Sequence, residues 1–167
     1  MKMKSIDNIN QLNKSDFLSI FGNVFEKTEW IADKVFEFKP FKDFNELSSK
    51  LLDIYENCHK EKILIILNSH PELAVAKKLT HESKLEQAGA NLNGCTFEEF
   101  DEFKKLNLEY KNKFGFPFII AVKGKNKTEI LNNFRQRILN DIEIEFKEAK
   151  KQVKKIASFR LNEIINQ

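Results

Sequence analysis

Three short stretches put polar, reactive side chains where the surrounding pattern is apolar or helical. The first is His70-Pro71, at the end of the apolar run ILIIL. A residue before proline is pushed out of the helical region, so a helix through ILIIL ends there with the imidazole pinned at its C-terminal end. Imidazole titrates near neutral pH and suits general acid–base work. The plainer alternative is a capping histidine favoured by the helix dipole. The second stretch is Ser83-x-x-Glu86-Gln87. On a helix, spacings of three and four put a hydroxyl, a carboxylate and an amide on one face, as a polar ligand would need. The same letters also spell a capping box with Ser83 as cap and Glu86 serving the backbone. The third is Arg160. On a helical wheel it falls in the middle of the apolar stripe of Phe146, Ala149, Val153, Ile156, Ala157 and Ile164. A guanidinium there needs a partner or a polar cavity, and its fork suits a carboxylate. A buried structural ion pair, with Glu86 as one possible partner, is the alternative.

Other residues carry less. His59, His70 and His81 recur every eleven residues, but Pro71 breaks any continuous helix, so no three-histidine metal site is expected. Cys58 and Cys95 lack an activating neighbour and form no CxxC pair. The lysines of 147–155 lie off the apolar stripe of their helix and read as a solvated face.

The elements that must position these side chains are helical. KSDFLSIFGNVFEK, KDFNELSSKLLDIYENC and DIEIEFKEAKKQVKKIASFRLNEII have apolar residues at helical spacing. TEWIADKVFEF reads as a short helix stopping before Pro40, and HESKLEQAGANL as one ending at Gly89. TFEEFDEFKKLNLEYKNKFG opens with a Thr96-to-Glu99 capping box and closes at Gly115. EKILIILNSH is apolar nearly all round, leaving helix or strand open. FPFIIAV reads as extended. The expectation is an all-α fold, one compact multi-helix domain over residues 1–167, with a short extended FGFPF segment.

Composition agrees. Five Gly and three Pro in 167 residues leave few helix breakers, and sixteen Phe against one Trp and two Tyr predict a phenylalanine-rich core. With 28 basic and 25 acidic residues, the net charge of +3 is too small for a dedicated nucleic-acid binder. No apolar run reaches membrane-span length and the N-terminus carries no apolar signal segment, so a reduced, cytoplasmic setting without membrane association is expected.

Taken in order, SHPEL, LTHESKLEQAGANL, LNLEYKNKFGFPFIIAVKGK, EILNNFRQRILND and KKIASFRL resemble the OHCU decarboxylase family (2-oxo-4-hydroxy-4-carboxy-5-ureidoimidazoline decarboxylase). NVFEKTEWIADKVFEFKPF also resembles that family's N-terminal segment, though Thr28-Glu29-Trp30 stands where Ser-Pro-Trp is usual, and the stretch between Pro71 and Ser83 is short. The resemblance implies a homodimer without metal or organic cofactor, acting in urate catabolism on a small ureidoimidazoline that it converts to S-allantoin. It implies a site of His70 and Glu86 as catalytic groups, with Pro71, Ser83, Gln87, Phe116, Phe118, Ile119, Ile120 and Arg160 binding substrate. A non-catalytic ureide-binding module and a decarboxylase of a related ureidoimidazoline are the alternatives.

Overall fold

A computed structural model of the chain describes residues 5–74, 80–90 and 92–166. The described helices are α1 (Ile6–Gln11), α2 (Lys14–Phe21), α3 (Glu29–Phe36), α4 (Phe44–Glu56), α5 (Lys60–Ser69), α6 (His81–Gly89), α7 (Phe97–Phe114), α8 (Lys127–Arg137) and α9 (Ile142–Ile165), with a 3₁₀ turn at Leu92–Gly94. No strand occurs among the described residues. The fold class is all-α.

The chain forms two compact units. One comprises Met1–Ser69 and Lys154–Gln167, the other His70–Val153, so α9 contributes its first part to the second unit and its end to the first. In the first unit, Phe17, Phe21, Val35, Leu47, Leu51 and Tyr55 are fully buried. Phe17 and Phe21 lie one turn apart on α2 with ring centroids 4.8 Å apart, and Phe25 stacks on Tyr55 at 4.8 Å. Asn10 ties α1 to the segment before α4. Its amide donates to the Phe41 carbonyl and accepts from the Phe41 N–H, both at 2.8 Å. EKILIILNSH resolves as helix α5. Ile63, Ile66 and Leu67 are buried, while Ile65 is 64% exposed, so the run packs on one side rather than all round.

The second unit is built around Tyr110 of α7, whose ring lies 4.5 to 5.9 Å from those of Phe114, Phe116, Phe118 and Phe134. The Thr96–Glu99 capping box is present at the start of α7, and a second one, Asn126 with Glu129, opens α8. Gly115 ends α7 at φ +81°, a left-handed cap that glycine adopts without a Cβ penalty. Residues 117–122, which follow, lie in neither helix nor strand.

Candidate functional site

The residues from His70 to Ala74 leave α5 as a turn without regular structure. His70 is buried, 8% exposed. Facing this turn is α6. Its N-cap is Thr80, whose hydroxyl accepts from the Ser83 N–H, so Ser83 is the third residue of the helix and not its cap. The capping-box explanation of Ser83-x-x-Glu86 therefore does not apply. Ser83 and Gln87, four apart, are buried on one face of α6, and Glu86 beside them is half-buried.

Gln87 joins this face to the histidine turn. Its Nε2 donates to the Glu72 carbonyl at 3.3 Å, and its Oε1 accepts from the Ala74 N–H at 3.2 Å. From α7, Asn107 Nδ2 donates to the Leu73 carbonyl at 3.0 Å. Three successive residues after Pro71 thus have a backbone group held by a side-chain amide. Ala74 stands at φ +51°, a left-handed conformation unusual for a residue with a Cβ.

The FGFPF stretch is held by a polar network. Arg137 Nη1 donates to the Ile119 carbonyl at 2.7 Å, and the guanidinium lies over the Phe118 ring at 4.4 Å. Phe118 in turn stacks on Phe134 at 3.9 Å. Arg137 Nε donates to Glu145 Oε1 at 2.7 Å; its Nη2 sits 2.6 Å from the same oxygen, an ion contact rather than an aligned hydrogen bond. Tyr110 also donates to that oxygen at 2.7 Å, and Asn140 donates to Glu145 Oε2. Burial foremost, and then the Glu145 carboxylate, push the Tyr110 phenol well above its ordinary range. Two residues on, the Ala121 N–H donates to Gln152. Phe116, Phe118, Ile119 and Ile120 are all buried.

Arg160 belongs to the first unit. Its Nη2 donates to Glu26 Oε2 at 2.7 Å and its Nη1 to the Asn23 carbonyl at 2.9 Å. The turn it grips joins α2 to α3. Gly22 opens it where a Cβ would lie 2.3 Å from the Leu18 carbonyl oxygen. Asn23 accepts from the Lys27 N–H, Lys27 stands at φ +51°, and the Thr28 hydroxyl donates to the Glu26 carbonyl. Glu26 is thus a buried carboxylate partner of Arg160.

The profile of the OHCU decarboxylase family matches residues 10–162. The chain belongs to that family. A protein of Haloferax volcanii named 2-oxo-4-hydroxy-4-carboxy-5-ureidoimidazoline decarboxylase is 33% identical over 159 residues, 95% of each chain. The uric acid degradation bifunctional protein of Bacillus sp. (strain TB-90) is 38% identical over 165 residues, 99% of this chain; the chain spans only 33% of that protein's length. Among solved structures, an (S)-allantoin synthase superposes with a TM-score of 0.77 at 25% identity, covering 96% of this chain and 54% of the other.

Within this family member the second unit therefore gathers the His70-Pro71 turn and the Ser83–Gln87 face, and it also contains the anchored Phe116–Ile120 stretch. Sequence reasoning missed Glu26, Asn107 and Arg137. A signal for two of them was present. Asn107 interrupts the stripe Phe103, Tyr110, Phe114 on α7, and Arg137 extends the stripe Ile130, Phe134 on α8. The wheel argument that singled out Arg160 applies equally to both. Glu26 offers no such pattern, because it lies in a turn. No cluster of His, Cys, Asp and Glu able to hold a metal occurs among the described residues.

Proposed function

We propose that this chain decarboxylates 2-oxo-4-hydroxy-4-carboxy-5-ureidoimidazoline to S-allantoin without a cofactor, as a step of urate catabolism. The observation that carries the reading is the seating of the His70-Pro71 turn against the buried Ser83–Gln87 face of α6 in a chain whose family is that of OHCU decarboxylases.

The substrate carries a carboxylate and a hydroxyl on one ring carbon. When the bond to the carboxylate breaks, its electron pair moves into the adjacent C=N unit of the ring as CO₂ departs. A proton then reaches one face and gives a single enantiomer. His70 acts as the general acid/base at the substrate hydroxyl. Glu86 orients His70 or accepts from the ureido N–H groups. Ser83 and Gln87 bind polar atoms of the ring or ureido group, and Pro71, Phe116, Phe118, Ile119 and Ile120 shape the wall, with backbone groups of that stretch meeting a ring oxygen. Arg160, which matches the arginine of the family's RL motif, holds an anionic or carbonyl part of the substrate. It positions rather than grips the departing carboxylate, since ground-state stabilisation of that group slows its loss.

The match through residues 10–162 spans both compact units, which supports reading residues 1–167 as one functional domain. A homodimer fits the apolar side chains that α7 exposes on one face, Phe97, Phe100 and Leu108. A cytoplasmic site of action fits Cys58 and Cys95, which form no disulfide.

Circular dichroism of substrate freshly generated from urate tests the activity. The protein should speed growth of the S-allantoin signal, and His70→Ala and Glu86→Ala should each slow turnover by about 10²-fold or more with the fold intact. Spontaneous decay to racemic product in the presence of folded wild-type protein would reject the activity.

A further inference from the structure

We propose that Asn107 is a positioning residue for His70, acting through the backbone of Leu73; this rests on the reading of His70 as the acid/base group. Leu73 and Ala74 are 5% and 6% exposed, so their backbone groups have lost water and must find partners within the protein. Those partners are side chains. Asn107 holds the Leu73 carbonyl, and Gln87 holds the residues on either side of it. Ala74 keeps its left-handed φ of +51°, a conformation that persists only where its surroundings over-determine it. Pro71, with its ring-locked φ, lies between His70 and the clamp. Few torsions therefore separate the imidazole-bearing residue from a backbone oxygen held by a rigid helix.

Asn107 is an expensive residue for its place. It is 4% exposed and stands on α7 between Phe103 and Tyr110, both fully buried. Its Oδ1 is buried with no hydrogen-bond partner among the described residues. A leucine of similar size would fill that stripe without a half-used amide. The bond to Leu73 accounts for the asparagine. Gln87 sits on the neighbouring helix, so the turn is held from α6 and from α7 at once. Asn107 itself need not touch the substrate.

The experiment compares the full-length wild type with Asn107→Asp, which turns the donor into an acceptor facing the Leu73 carbonyl, and with Asn107→Leu, which removes it without burying charge. Turnover and histidine NMR are read on each. The chain has three histidines, so His59 and His81 serve as internal references for the His70 resonances. Misplacing a catalytic group by about 1 Å costs up to about a hundredfold. The expected result is a kcat lower by about tenfold or more with KM changed by less than about threefold, in protein that retains wild-type near-ultraviolet dichroism. The His70 resonances and titration midpoint should move while those of His59 stay. Folded variants with wild-type kcat and unmoved His70 signals would overturn the proposal. So would failure of both variants to fold, the result expected of a purely structural residue. A wild-type protein without turnover would remove the decarboxylase reading alone, because the His70 resonances report the clamp without any substrate.

Discussion

Two buried arginines each meet a buried glutamate, one pair in each compact unit, and the pairs are built differently. Arg137 and Glu145 are eight residues apart, across the connection from α8 to α9. Tyr110 and Asn140 add hydrogen bonds to Glu145, and Arg137 spans from the carboxylate to the Ile119 carbonyl with its guanidinium over Phe118. Arg160 and Glu26 are 134 residues apart. They tie the last helix to the α2–α3 turn, with the Asn23 carbonyl as a further acceptor. The first pair anchors one segment of the second unit through a local knot. The second joins the two distant stretches of chain that make up the first unit. Burial and pairing are alike in both, so neither feature separates an arginine that holds structure from one that meets substrate.

Breaking the pairs singly should give the largest effects. Arg137→Ala or Arg160→Ala leaves a buried carboxylate uncompensated and should cost about 3–5 kcal/mol, read as a lower urea midpoint at unchanged slope. Replacing both members separates the roles. Arg137→Met with Glu145→Leu, and Arg160→Met with Glu26→Leu, should each recover much of the lost stability, as apolar replacements of buried pairs often do. The second double variant should remain slow in turnover, by about 10²-fold, if Arg160 binds substrate. Wild-type rates in that variant would make Arg160 as structural as Arg137.

The glycines of the two units sharpen the contrast at smaller scale. Gly22→Ala in the first unit sets a methyl 2.3 Å from the Leu18 carbonyl oxygen, a backbone atom. The α2–α3 turn gripped by Arg160 must shift, at a cost of about 2–3 kcal/mol. A loss of turnover larger than the loss of folded protein would show that the shift reaches Arg160.

Tyr110 comes next. Tyr110→Phe removes one donor from Glu145 and should cost about 1–2 kcal/mol. It should also change the alkaline limb of stability. The folded-state pKa of Tyr110 is raised, so the stabilisation linked to its proton is complete below about pH 10, where the unfolded phenol titrates, and is drained as pH climbs from there toward the folded-state value. Tyr55 in the first unit is raised too, with burial as the leading cause. Chemical denaturation across this range should therefore show falling stability above about pH 10, with a shallower fall in Tyr110→Phe. An unchanged slope there would mean that Tyr110 titrates freely in the folded protein. The smallest effect is expected of Gly115→Ala. It meets no atom within 4 Å but must hold φ at +81°, for about 1 kcal/mol.

Much of the fold was legible because helices are local. α4, α7 and α9 follow the apolar period read from the chain, α6 ends at Gly89 as expected, and the Thr96–Glu99 box opens α7. The identity of α5 was not legible, since an apolar run as short as ILIIL fits a helix or a strand and its length decides nothing. The candidate site was legible as residue types. His70, Ser83, Gln87 and Arg160 each stood out, and each is buried. Their partners were not. Thr80 took the capping role that the letters offered to Ser83, and the Glu26 carboxylate that meets Arg160 was not foreseen.

By itself the sequence determined that the chain is helical, where α6 and α7 stop, and which polar side chains would be costly in an apolar stripe. Those properties follow from backbone sterics, capping and periodicity, all of which act within a few residues. Only the tertiary structure decided what each costly side chain bonds to: the Leu73 carbonyl for Asn107, the Glu72 and Ala74 backbone for Gln87, Ile119 and Glu145 for Arg137, Asn23 and Glu26 for Arg160. The physical reason is that a buried polar group must be satisfied by whatever the fold brings within about 3 Å. For Arg160 that partner lies 134 residues away, beyond the reach of any spacing rule.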